Sequence, residues 1–144
     1  MSSAFANQYC HFYDDDAFDD TARPGFRQRV IGGDQLQLCF WRIDGGATGS
    51  VLHHHPENEQ LGIIVRGALD FRIGEPDDER RVVLRPGDVY LAPVSVWHGD
   101  SLFIGDEEYG ECWILDVFAP PRRDLAPGPR AQAAAAGRAP EHST

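Results

Sequence analysis

The densest run of reactive side chains in this 144-residue chain is His53-His54-His55-Pro56-Glu57-Asn58-Glu59-Gln60. On an extended strand successive side chains alternate faces, so His53 and His55 point one way and His54 the other. Two imidazoles on one face form a metal-ligand arrangement. Pro56 breaks the run, and the strand that follows can return a third ligand to the same spot. Glu57, Glu59 and Gln60 are the chemical candidates. A second segment, Pro93-Val94-Ser95-Val96-Trp97-His98, supplies another imidazole. A lone histidine on a strand is more often hydrogen-bonded or solvent-facing than a ligand, so it is the pair and its spacing that point to a metal. His11 and His142 fall in terminal arms, and His54 faces solvent or supports the ligands from behind.

The elements that must carry these side chains are short and strand-like. From Phe26 to Phe118 the chain reads as segments of alternating or apolar residues separated by turn residues. They are Leu36–Ile43, Leu61–Val65, Ala68–Ile73, Arg81–Leu84, Val89–Ala92 and Trp113–Phe118. Asp44-Gly45-Gly46, Arg66-Gly67 and Arg85-Pro86-Gly87-Asp88 punctuate them. This pattern predicts an all-β sandwich or barrel with no internal repeat. No segment reads as an amphipathic helix of three turns. Residues 1–25 read as an arm whose run Asp14, Asp15, Asp16, Asp19, Asp20 is solvated. Residues 26–122 form the domain. Residues 123–144, rich in proline and alanine and poor in large apolar residues, read as a flexible tail.

Composition narrows the function. Acidic residues number 23 and basic residues 13, a net charge of -10, and every basic residue is arginine. Such a chain is repelled by phosphate backbones, so nucleic acid is excluded as a partner. No apolar run approaches a membrane span, and Met1–Cys10 lacks the pattern of a signal peptide. A cytoplasmic location and a small-molecule substrate are expected. Cys10, Cys39 and Cys112 are too few and too widely spaced for a disulfide framework or a CxxC site. Cys39 and Cys112, set among apolar residues, belong to the core. The absence of lysine removes Schiff-base chemistry.

The spacing of these motifs resembles the cupins. His53, His55, Gln60 and Gly67 follow the first cupin motif, and Gly87, Pro93 and His98 follow the second, with Ser95 where a glycine is usual. Gly46 lies one residue too far upstream, and Leu102 stands where an asparagine is usual. The resemblance spans roughly Phe26 to Phe118. It implies a double-stranded β-helix, or jelly roll. It also implies one divalent transition metal ion (Zn, Fe, Mn, Ni or Co) held by His53, His55, Gln60 and His98, and a homodimer.

A closer likeness joins His53-x-His55-Pro56-x-x-x-Gln60 to the closing segment Asp116-Val117-Phe118-Ala119-Pro120-Pro121-Arg122. Together they resemble the cupins that open unsaturated uronate rings in pectin and alginate breakdown. That likeness makes Asp116 and Arg122 active-site residues. The bland alternative makes Asp116 a paired strand residue and Arg122 a surface charge.

Three imidazoles and an amide leave two positions of an octahedral ion open, which suits catalysis or ligand binding rather than a closed structural site. A neutral Gln60 leaves the full charge of a dication in the pocket, which favours Lewis-acid chemistry on an enolisable or hemiacetal substrate. Asp116 would then move the proton. Other functions share the residue set. One is an aromatic polyketide cyclase, with Trp41, Trp97, Trp113, Phe71 and Phe118 lining an apolar cavity. A dioxygenase is another, and a non-enzymatic small-molecule binder a third.

Overall fold

The structure is a computed structural model and describes residues 8–138. Nine strands carry the chain: β1 (Asp19–Asp20), β2 (Phe26–Gly32), β3 (Gln37–Asp44), β4 (Glu59–Arg66), β5 (Ala68–Ile73), β6 (Val82–Leu84), β7 (Val89–Ala92), β8 (His98–Ile104) and β9 (Glu111–Ala119). One helix, α1, follows at Pro129–Arg138. The strands form a six-stranded sheet, β1-β2-β3-β9-β4-β7, and a three-stranded sheet, β6-β5-β8, with every pairing antiparallel. This is the expected all-β double-stranded β-helix. β2 and β8 are the longer strands absent from the segments read in the sequence.

Alternation along each strand sends one set of side chains between the sheets. Phe26, Ile43, Ile64, Cys112 and Ile114 from the large sheet meet Leu69, Phe71 and Phe103 from the small one. Val30, Cys39 and Phe118 extend that interior at the other end. Burial of the two core thiols pushes Cys112 up to about 12 and Cys39 well above its ordinary value, so neither is a nucleophile near neutral pH. The chain changes sheets between β4 and β5 at Gly67. There φ is +74°, and a Cβ would come within 2.3 Å of the Ile104 carbonyl oxygen, so only glycine makes this corner.

The terminal segments depart from the solvated arm and flexible tail. Asp14, Asp15, Asp16 and Asp20 are exposed, but Asp19 is only 4% exposed. β1 pairs with β2, which carries Asp19 under the start of α1. Its carboxylate accepts the backbone N–H groups of Arg130 (2.5 Å) and Ala131 (3.4 Å). These are orphan donors of a helix N-terminus, where negative charge is also favoured by the dipole. Pro129 suits the first helical position, and the alanines after it have the highest helix propensity. The helix therefore needs no large apolar stripe, which is why the 3.6-residue periodicity did not reveal it. Phe12 stacks on Trp113 at 5.5 Å and 7°, covering the outer face of β9. Residues 139–144 of the expected tail lie outside the described residues.

Replacing Asp19 by alanine removes this cap. Urea titration is expected to give a loss of about 1 kcal/mol of unfolding free energy, with metal content unchanged. An unaltered midpoint would show that the cap contributes nothing.

Candidate metal centre

The histidine-rich segment is a loop rather than a strand, and it is tied to the second motif at one point. His53 and His98 form an isolated antiparallel bridge, in which each backbone N–H donates to the other's carbonyl at 2.9 and 2.7 Å. The turn before His98 is held by Ser95, whose N–H donates to the His55 carbonyl at 2.9 Å. Ser95 has φ of +65°. It occupies the left-handed conformation at the position where the motif has glycine, at a cost of roughly 1–2 kcal/mol. The alternation read from the sequence survives without a strand. His53, His55 and His98 converge, with ligand nitrogens within 4.8 Å of one another. His54 turns outward to lie 4.4 Å from the Trp97 ring.

Gln60, at the start of β4, completes the cluster. Its Oε1 lies 3.1 Å from His55 Nε2 and 3.0 Å from His98 Nε2. Glu57 and Glu59 are exposed and stand outside the group. The orientation of the amide follows from its other end. Gln60 Nε2 donates to the Tyr90 hydroxyl at 2.6 Å, and that hydroxyl donates to Asp116 Oδ1 at 3.2 Å. Gly62 makes room for this relay: a Cβ there would lie 2.0 Å from the Tyr90 ring. Tyr90 and Gly62 were not among the residues singled out in the sequence. Alternation in Val89–Ala92, which turns Tyr90 inward with Ala92, is the signal that could have found the tyrosine.

Hydrogen bonds also set the ring tautomers. His53 Nδ1 lies 2.8 Å from the Val51 carbonyl, and His98 Nδ1 lies 3.0 Å from the Val96 carbonyl. A carbonyl only accepts, so Nδ1 carries the proton and Nε2 keeps its lone pair. Burial lowers both His55 and His98 to about 4; the Arg122 charge adds to the shift at His55, and the neighbouring His53 and Arg122 at His98. These rings are neutral at pH 7, as ligands must be.

A conflict follows at His98. Its Nε2 lone pair faces the Gln60 carbonyl oxygen across 3.0 Å, and neither atom carries a proton to share. A cation placed between them resolves the conflict. The 3.0 and 3.1 Å separations also match the edge of about 3.0 Å expected between neighbouring ligands of an octahedral ion with bonds of about 2.1 Å. The residues present therefore fit a divalent metal.

The cluster opens on a cavity of about 370 Å³ between the sheets. His53, Gln60, His98, Tyr90, Asp116 and Arg122 line it, with an apolar wall that includes Phe26, Trp41, Phe71, Phe103 and Phe118. Trp97 and Trp113, expected on that wall, lie elsewhere: Trp97 packs on His54, and Trp113 sits under Phe12 on the outer face. Asp116 pairs across β9 with Gly62 and Cys39. Burial pushes its carboxyl up to about 6, against hydrogen bonds from Tyr90, Gln60 and Trp41 and the charge of Arg122. Arg122 is held by a backbone bond to Gln37 Oε1 (3.0 Å), by Asp124 (2.6 Å) and by the Phe118 ring (4.8 Å). The structure thus brings all six expected site residues to one region.

Comparison with known proteins agrees with this geometry. The family model for the cupin domain matches residues 39–106, which contain both histidine motifs. KdgF from Halomonas sp. superposes with a TM-score of 0.65 at 25% identity, over 81% of this chain and 100% of that one. An RmlC-like cupin from Shewanella frigidimarina gives 0.63 at 23% identity, over 83% and 99%. A protein with a double-stranded β-helix domain from Klebsiella pneumoniae gives 0.62 at 17% identity, over 84% and 91%. The latter two show the fold alone. A comparison with curated proteins finds no match. Over residues 39–106 the chain carries a cupin domain, and the likeness to KdgF agrees with that fold.

The relay through Tyr90 yields a direct test. Tyr90→Phe is expected to free the Gln60 amide to flip and to weaken metal binding roughly 10- to 100-fold, read by chelator competition. Gly62→Ala, which displaces the same ring, is expected to act in the same direction. Unchanged affinity in both variants would break the link between Tyr90 and the metal.

Proposed function

We propose that the chain is a metal-dependent cupin enzyme that moves a proton on an enolisable or hemiacetal small molecule, with opening of an unsaturated uronate ring as the particular reaction. One observation carries this reading: a His3Gln set with no carboxylate among its members lies beside a carboxyl held at about 6, one phenol away from the glutamine. The likeness to KdgF over the whole of that chain, beside a closing segment Asp116 to Arg122 that resembles the uronate ring-opening cupins, supports the substrate class.

A bound divalent ion would supply Lewis acidity toward a substrate carbonyl, enol or hemiacetal oxygen. His53, His55, His98 and Gln60 would hold it. Asp116 takes the proton from the substrate or returns it, since a group near 6 exchanges protons readily at neutral pH. Tyr90 is not the acid: burial, with Asp116 beside it, pushes its phenol well above its ordinary value. It steers the Asp116 oxygen instead. Arg122 offsets negative charge on the substrate, which matters in a chain of net charge -10. The aromatic wall makes the surroundings of the reacting atoms less polar.

The same wall favours a second reading, a cyclase of aromatic polyketides, because Phe26, Trp41, Phe71, Phe103 and Phe118 offer a surface suited to a flat apolar chain. A homodimer and a cytoplasmic location complete the proposal. Val89 and Leu91, about half exposed on edge strand β7, support the dimer. Among the described residues no helix is long and apolar enough to cross a membrane.

The deciding experiment pairs elemental analysis of the purified protein with turnover of unsaturated uronates and of polyketide-like diketones, each with and without oxygen. Uronate turnover independent of oxygen is expected. Asp116→Asn is expected to keep the metal and lose roughly 10²- to 10⁴-fold in turnover. Full turnover in that variant would remove Asp116 from the chemistry, and diketone turnover without uronate turnover would select the cyclase.

A further inference from the structure

The N-terminal segment, outside the region matched by the cupin family model, adds a wall to the cavity through Thr21, Ala22 and Arg23. The turn that carries them is tightly bound. Thr21 Oγ1 donates to the Phe26 carbonyl at 2.8 Å, and the Arg23 N–H donates to Thr21 Oγ1 at 3.2 Å. The Arg23 guanidinium is fixed as well. It lies 4.2 Å over the Phe26 ring and donates one Nη2 hydrogen to the Thr48 carbonyl at 2.6 Å.

What it lacks is a counter-ion. Among the described residues no carboxylate lies within ion-pair distance of Arg23. The other arginine on the cavity wall, Arg122, is paired with Asp124. In a chain with 23 acidic residues and 13 arginines, an unpaired guanidinium held rigidly over a cavity is conspicuous. Asp116 is the one carboxylate on that wall, and it belongs to the Gln60–Tyr90 relay. Stacking and the Thr48 bond have already restricted the side chain, so less entropy is lost when its remaining N–H donors take up an anion. A planar guanidinium fork matches a carboxylate.

We propose that Arg23 is a specificity-determining residue that binds the carboxylate of a substrate held in the cavity that His53, Gln60 and His98 also line. The inference rests on the reading that this cavity holds the substrate, and it makes that substrate an acid rather than a neutral sugar or ketone.

Binding tests it without catalysis. The probes are glucuronate and its uncharged methyl ester, titrated calorimetrically into the metal-loaded native protein and into Arg23→Gln and Arg23→Lys. The native protein is expected to prefer the acid by roughly 10- to 100-fold, the range of a hydrogen-bonded charge pair. Arg23→Gln is expected to bring that ratio to about 1 with ester binding and metal content unchanged, which also shows that the variant is folded. Arg23→Lys is expected to retain part of the preference. An unchanged ratio in Arg23→Gln, or no glucuronate binding by the native protein, overturns the inference. Absence of uronate turnover in a protein that still discriminates acid from ester through Arg23 defeats the proposed reaction and leaves the carboxylate site standing.

Discussion

At the centre of the molecule two lone pairs face each other across 3.0 Å, one on His98 Nε2 and one on Gln60 Oε1. Neutral, desolvated groups do not take such an arrangement unless other bonds impose it. The His98 ring is fixed by the Val96 carbonyl, and the Gln60 amide by Tyr90 and through it Asp116. A cation is the natural resolution, so the protein's own hydrogen bonds define the centre before any ion arrives. This is the sense in which residues behind the ligands tune a metal site.

Much of the fold serves that arrangement. β4 and β9 lie side by side in the large sheet and put Gln60 and Asp116 on the inner face, two register positions apart, with Gly62 opposite Asp116. β7, on the other side of β4, brings Tyr90 over Gly62. The His53–His98 bridge then fastens the histidine loop to β8 of the small sheet. The centre therefore spans both sheets, and loosening either sheet would separate its ligands.

Charge is distributed against the average. The chain carries -10 overall, yet the cavity wall holds two arginines, two imidazoles, a neutral amide and one carboxylate whose proton is retained to about 6. Net charge governs long-range encounters and argues against polyanions. It says little about a desolvated pocket, where a few nearby groups set the potential.

The sequence by itself determined the all-β class, most of the strand segments and the ligand candidates. Period-two alternation and turn residues are local signals, and paired His motifs keep their spacing in the linear chain. Even so, His53 to His55 converge from a loop, not from the strand that their alternation suggested. Tertiary structure alone decided the rest. Asp19 in an acidic run is a helix cap because α1, some 110 residues later, begins against β1. Trp97 and Trp113 leave the cavity because each finds a partner ring elsewhere. Tyr90 and Arg23 gain meaning from Gly62, Asp116, Phe26 and Thr48, whose approach is three-dimensional. Contacts between distant segments depend on sheet order and register, and no local pattern of residues carries that information.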